Sequence, residues 1–181
     1  MTGPSRAEPA PGSREFTLTR TFDAPRELVY RVWTDAEHLA GWFGPKGVPV
    51  VVSKLDLRPG GTYLYGMRAP NGTEFWGRWT FEEIVPPERL VFRSSFSDPQ
   101  GGTTRHPMAP DWPLEMRSTI TFAAHAGRTT LTLRTVAVNA TDDERRAFEA
   151  GFQSMTQGWG GTFDKLLAYL AGPAAPGKET K

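Results

Sequence analysis

Between Glu15 and Phe22 apolar and polar positions alternate. Phe16, Leu18 and Phe22 share one side, and Glu15, Thr17, Thr19 and Thr21 the other, the period of a half-buried strand. The period then changes. Pro25 suits the first turn of a helix, Asp23 stands where a cap would, and Leu28, Val29, Val32 and Trp33 form an apolar face. Thr34 and Asp35 interrupt that face, and Glu37–Trp42 reads as a second short helix ending at Gly41–Pro45. Strand patterns follow over Val48–Leu57, Thr62–Arg68, Thr73–Val85 and Arg89–Phe96. Turn residues join them: Arg58-Pro-Gly-Gly61, Pro70-Asn-Gly72 and Pro86-Pro-Glu88. The expectation is an antiparallel meander, closed by a hairpin of Leu114–Ala124 and Arg128–Val138 around Ala126-Gly127.

Two further segments stand out. Thr141 and Glu144 have capping-box spacing, with Asp142 and Asp143 in the first turn, where the helix dipole favours negative charge. From there Phe148, Phe152, Met155, Trp159, Phe163, Leu166 and Leu170 recur at steps of three and four. That stripe predicts one long helix over about Thr141–Leu170. Gly151, Gly158, Gly160 and Gly161 lie inside it, each costing about 1 kcal/mol relative to Ala. They imply close backbone approach, a bend or a gap, and the alternative is a split into two helices at Gly158–Gly161. Ser97–Pro113 is loop-like and exceeds the roughly 12–15 residues usual in a compact domain. It reads as a lid, with a loose tip at Gly102–His106 and an apolar base of Met108 and Trp112. The competing view has Trp112 pinning the loop to the sheet edge.

Strand, two short helices, six strands and a long helix make an α+β domain in which one helix covers one face of an antiparallel sheet. On a curved sheet such a helix leaves an apolar pocket. The chain of 181 residues fits one domain over 14–171, and residues 1–13 and 172–181 read as disordered tails from their Pro, Gly and lack of periodicity. The absence of cysteine excludes disulfides, thiol catalysis and Cys-ligated zinc. A formal charge of +1 gives no electrostatic case for nucleic acid. No apolar run is long enough for membrane insertion, and without a signal-like N-terminus the cytoplasm is the expected compartment. Aromatics reach 12%, with six Trp, more ring surface than packing alone requires.

The stretch Arg20-Thr-Phe-Asp-Ala-Pro-Arg-Glu-Leu-Val-Tyr-Arg-Val-Trp-Thr-Asp35, followed by Leu39-Ala-Gly-Trp-Phe-Gly-Pro45, resembles the opening of the START-like (SRPBCC) superfamily. More narrowly, it is similar to the family named after the heat shock protein 90 ATPase activator. Leu57-Arg-Pro-Gly-Gly61, Glu83–Phe92, His106–Met116 and Gln157-Gly-Trp159 continue the likeness over nearly all of Glu15–Leu170. The resemblance implies a helix-grip fold: a curved antiparallel sheet around the C-terminal helix, with a hydrophobic cavity between. No segment reads as a separate chaperone-binding domain, so the co-chaperone role is not carried over. Trp79 departs from the family, where a small residue is common; it either narrows the cavity or faces outward.

His38, His106 and His125 have no metal-ligand spacing, and no P-loop, dinucleotide fingerprint or Gly-x-Ser-x-Gly elbow occurs. No cofactor or metal is expected. Asp56, Glu82, Glu83 and Arg20 are the acid–base candidates. Strict alternation points one of Glu82 and Glu83 inward, and the structural reading is a buried Arg20–Glu pair. The rings say more. Tyr63, Tyr65 and Met67 share one strand face, and Met116 shares another with Ser118. Phe152, Met155 and Trp159 face the sheet from the helix, while Trp42, Phe43, Met108 and Trp112 sit where loops could close a mouth. The expected function is binding of a small, largely apolar, aromatic or lipid-like ligand. The alternatives are a polyketide cyclase/aromatase-like or hydrolytic enzyme, and a chaperone-linked interaction module. A homodimer is left open.

Overall fold

The alternating segments assemble into one antiparallel sheet. The computed structural model describes residues 14–172, so the two predicted tails lie outside the described residues apart from Gly172. The elements are β1 (Phe16–Phe22), α1 (Arg26–Trp33), α2 (Ala36–Trp42), β2 (Val50–Leu55), β3 (Thr62–Arg68) and β4 (Glu74–Val85). They continue with β5 (Arg89–Ser97), β6 (Thr103–Thr104), β7 (Glu115–His125), β8 (Arg128–Val138), α3 (Asp142–Ala150) and α4 (Phe152–Ala171). The strand order is β1-β8-β7-β5-β4-β3-β2, with the short β6 added to β5. β1 and β2, successive strands in the chain, thus form opposite edges of the sheet, and α1 and α2 span the distance between them. This is the α+β helix-grip arrangement that the pattern and the resemblance imply.

The inward face carries Phe16 and Phe22 of β1, Leu131 and Leu133 of β8, Ile120 and Phe122 of β7, Leu90 and Phe92 of β5, and Trp79 and Phe81 of β4. Val29, Val32 and Trp33 of α1, Leu39 and Trp42 of α2, and Phe163, Leu166 and Leu170 of α4 complete the core. Each large side chain fully buried in this way contributes about 1.5–3 kcal/mol.

Local chemistry corrects several expectations. α1 starts at Pro25 without a side-chain cap, and Asp23 faces solvent 3.9 Å from Arg128. The effective cap is Asp35, whose carboxylate accepts from the Glu37 and His38 amides at the start of α2. The single C-terminal helix is two helices, and the break falls at Gly151 rather than at Gly158–Gly161. A Cβ at Gly151 would lie 2.7 Å from the Trp112 ring, so glycine is what lets that ring reach the helix backbone. The Thr141–Glu144 capping box is present at the start of α3.

Glu82 and Glu83 do not straddle the sheet. A bulge between Phe81 and Glu83 shifts the register, so that Glu82 meets Arg93 and Arg117 while Glu83 meets Arg89. Arg89 and Arg93 share one face of β5, hence both carboxylates lie on the outer side. Arg20 pairs with Asp164 of α4 at 2.9 Å, half-exposed, in place of a buried Glu.

Candidate functional site

α4 crosses the concave side of the sheet but does not fill it. From α4, Trp159 stands with its ring nearly parallel to Trp33, centroids 6.3 Å apart, and 6.2 Å from Phe43. Trp79 stacks on Phe92 at 4.3 Å and meets Phe43 edge-on at 5.2 Å. Phe43 in turn lies 4.9 Å from Tyr65. These rings bound a space in two adjoining parts. An inner recess of about 150 Å³ runs toward Phe92, Ser94, Ser118 and Thr135. An outer chamber of about 620 Å³ opens between Gly44–Pro45, His106–Trp112 and the Gly151–Thr162 side of α4. Phe43, Tyr65, Phe96, Trp112, Met116, Met155 and Trp159 line both. Trp79 therefore narrows the cavity from its inner end.

Two walls of the mouth are irregular backbone, and each is tied down. The α2–β2 segment is held by Lys165, whose Nζ donates to the Phe43 and Gly44 carbonyls at 3.2 Å, and by Thr162 Oγ1, which donates to Gly44 O at 3.2 Å. Burial pushes the Lys165 ammonium below its usual pKa range. Gly44 has φ +93°, and a Cβ there would meet Met67 Sδ at 2.6 Å, so both the turn and the approach of Met67 require glycine.

The opposite wall corrects the idea of a loose tip at Gly102–His106. β6 pairs with β5, Arg78 donates to Gly101 O at 2.6 Å and to Thr103 Oγ1 at 3.0 Å, and Arg105 meets Glu144 at 2.9 Å. The His106 ring lies 4.6 Å from Phe96. Trp112 packs on Gly151 and on Phe148 at 5.7 Å, which places its anchor on the helices and not at the sheet edge.

Of the residues singled out in the sequence, Phe43, Tyr65, Met67, Trp112, Met116, Met155 and Trp159 line this space. The other expected residues lie elsewhere. Trp42 is fully buried core, its indole N–H donating to Val32 O at 2.9 Å. Tyr63 is likewise core, its hydroxyl beside Ser53, and burial pushes its pKa up to about 12. Phe152 turns toward Phe16 and Phe148, beneath the Arg14 guanidinium. Met108 is 83% exposed and does not line the space. Residues that the pattern did not single out are Phe92, Ser94 and Phe96, successive inward positions of β5, with Thr135 and Thr162. The alternation of Arg89–Phe96 carried the first three.

No Asp, Glu, Lys or Arg lines either part of the cavity. Tyr65 is kept neutral, since burial raises its pKa well above the ordinary phenol range. Asp56 pairs with Arg58 at the surface, far in chemistry from an acid–base role, and among the described residues no three His, Asp or Glu side chains gather as metal ligands. Nor is any helix among them long and apolar enough to cross a membrane.

The sequence profile of the family described as "Activator of Hsp90 ATPase homolog 1-like protein" matches residues 23–171. The chain belongs to that family. Solved structures agree with the assignment. A Mycobacterium smegmatis protein is 25% identical, with a TM-score of 0.70 over 86% of this chain and 90% of its own. A Nitrosomonas europaea protein is 27% identical, with a TM-score of 0.67 over 87% and 94%. An Arthrobacter aurescens protein is 25% identical, with a TM-score of 0.73 over 92% and 93%. No functionally curated protein matches significantly in sequence. Family membership supports a ligand-binding or helper fold and leaves the chemistry to the cavity.

Proposed function

We propose that this family member binds a small, uncharged, largely apolar molecule with aromatic character in the cavity between the sheet and α4. One observation carries the reading: two adjoining spaces of ligand size, walled by rings and thioethers, with no Asp, Glu, Lys or Arg in their lining and one imidazole, His106, at the outer mouth. Pockets of about 300–1,000 Å³ that are mostly apolar with a few polar groups are the usual form of small-molecule sites. The cyclase and hydrolase alternatives draw no support from the site, because the carboxylate candidates Glu82 and Glu83 sit on the outer face of the sheet. The interaction-module alternative draws little, since among the described residues the exposed large apolar side chains are five, Val51 in β2, Leu57 in the turn after it, Met108 and Leu114 between β6 and β7, and Leu167 in α4.

The test is a fluorescence titration with 2-methylnaphthalene, a neutral aromatic probe. Saturable binding should change tryptophan emission, and Trp159→Phe should reduce that change while the probe still binds by calorimetry, Trp79 and Trp112 supplying the remainder from the same lining. Absence of saturable binding, or a variant that responds as the parent does, overturns the proposal.

A further inference from the structure

The inner recess ends on hydroxyl groups. Ser118 and Thr135 are directly paired residues of β7 and β8, their side-chain oxygens 2.9 Å apart. Both are almost wholly buried, 4% and 3% exposed. Two hydroxyls carry two protons, and the bond between them uses one. Neither makes a second side-chain hydrogen bond among the described residues, so one O–H at the end of the recess is left for a further partner. Ser94, one strand away on β5 opposite Met116, lines the same end. A buried donor without an acceptor is costly; Phe92, Trp79, Met116 and Met155 offer it none, and Ser94 adds a third hydroxyl to the same end, so that end is the polar part of an otherwise apolar wall.

We infer that the Ser118–Thr135 pair selects the ligand: it receives one neutral oxygen, a hydroxyl or carbonyl, at the inner end of a flat apolar molecule. This rests on the cavity being the ligand site. A carboxylate would enter without a cation to offset its desolvation, and an ammonium without an anion, because no such partner lines the recess. The neutral oxygen accepts the spare O–H, and a ligand hydroxyl can donate back to the second oxygen. Flatness follows from the walls. Most of the lining is aromatic, with Phe43, Tyr65, Trp79, Phe92, Phe96 and Trp159 around the recess, and a flat ring packs on ring surfaces better than a branched chain does.

The experiment compares 2-naphthol with 2-methylnaphthalene, which replaces the hydroxyl by a methyl of similar size, and with 2-naphthoate. Affinities are measured by calorimetry on the parent, Thr135→Val and Ser118→Ala/Thr135→Val, with a cooperative thermal transition required of each. The parent should bind 2-naphthol roughly three- to tenfold tighter than 2-methylnaphthalene, the range a net hydrogen bond confers, and 2-naphthoate most weakly. The near-isosteric Thr135→Val should reduce the preference, and the double variant should erase it while 2-methylnaphthalene still binds within about twofold of the parent. Equal binding of the two neutral probes by the parent overturns the inference, as does a preference that survives the double variant. If the double variant does not fold, Thr135→Val alone decides. A parent that binds neither neutral probe overturns instead the ligand-cavity reading beneath it.

Discussion

Single residues decide how much room the cavity has. Gly151 and Gly158 share a helix stripe and look alike in the sequence, yet the space around them differs. A Cβ at Gly151 would lie 2.7 Å from Trp112, whereas a Cβ at Gly158 would meet nothing within 4 Å. Gly158→Ala should therefore raise stability by about 0.5–1 kcal/mol through helix propensity, while the added methyl at the outer chamber weakens aromatic binding. Gly151→Ala should lower stability by about 1–3 kcal/mol through overpacking. Thermal melts with and without 2-methylnaphthalene separate the two; the same sign of change at both positions would refute the argument. The sequence announced that glycines in this stripe mark close approach or a gap. It could not assign one to each, because that depends on Trp112, nearly forty residues away in the chain.

At the level of elements, the start of α3 and the wall over the cavity are one unit. Glu144 caps its own helix through the Thr141 amide, at 3.0 Å, and also holds Arg105 of the loop. The amide bond first, and the Arg105 guanidinium second, keep its carboxyl below the usual carboxylate range. The folded state thus favours the ionised form, and the stabilisation is complete above the ordinary pKa of about 4.3. It is lost as pH falls through the lower value of the folded protein. Glu144→Gln should melt about 2–4 °C below the parent at pH 7. The two melting curves should converge as pH drops below 4, and a gap that stays constant down to pH 2.5 would show that the charge is not responsible. The capping box was legible from Thr141 and Glu144 alone. Its second use was not, since Arg105 reaches it only after β6 pairs with β5.

For the whole molecule, period-two and period-3.6 patterns foretold every large element, because both faces of the sheet differ so strongly in polarity. They failed where the chain departs from regularity. The bulge at Phe81–Glu83 turned both carboxylates outward, and the break at Gly151 divided the last helix. The first keeps both carboxylates off the inner face of the sheet, and the second gives Trp112 its close approach to the helix backbone. Strand or helix phase fixes direction for Tyr65, Met116, Met155 and Trp159, and all four line the cavity. Neither strand phase, for Tyr63, nor a place near a loop, for Trp42, separates core from cavity lining, and neighbouring side chains enclose both completely.

The indole cluster has an optical consequence. Trp33 lies 4.7 Å from Trp42, 6.2 Å from Trp79 and 6.3 Å from Trp159, distances at which transition dipoles couple and excitation passes between rings before it is emitted. Light absorbed by any of the four is then shared with Trp159 at the cavity wall. A ligand that accepts excitation there should darken the whole set, removing much more than the one-sixth of emission that a single member of six tryptophans would supply if each acted independently. Time-resolved anisotropy should show rapid depolarisation in the parent and slower decay in Trp33→Phe. An emission loss confined to one-sixth at saturation would mean that the rings are neighbours without being coupled. With coupling, the protein is its own antenna, and occupancy of the cavity can be read from intrinsic light alone.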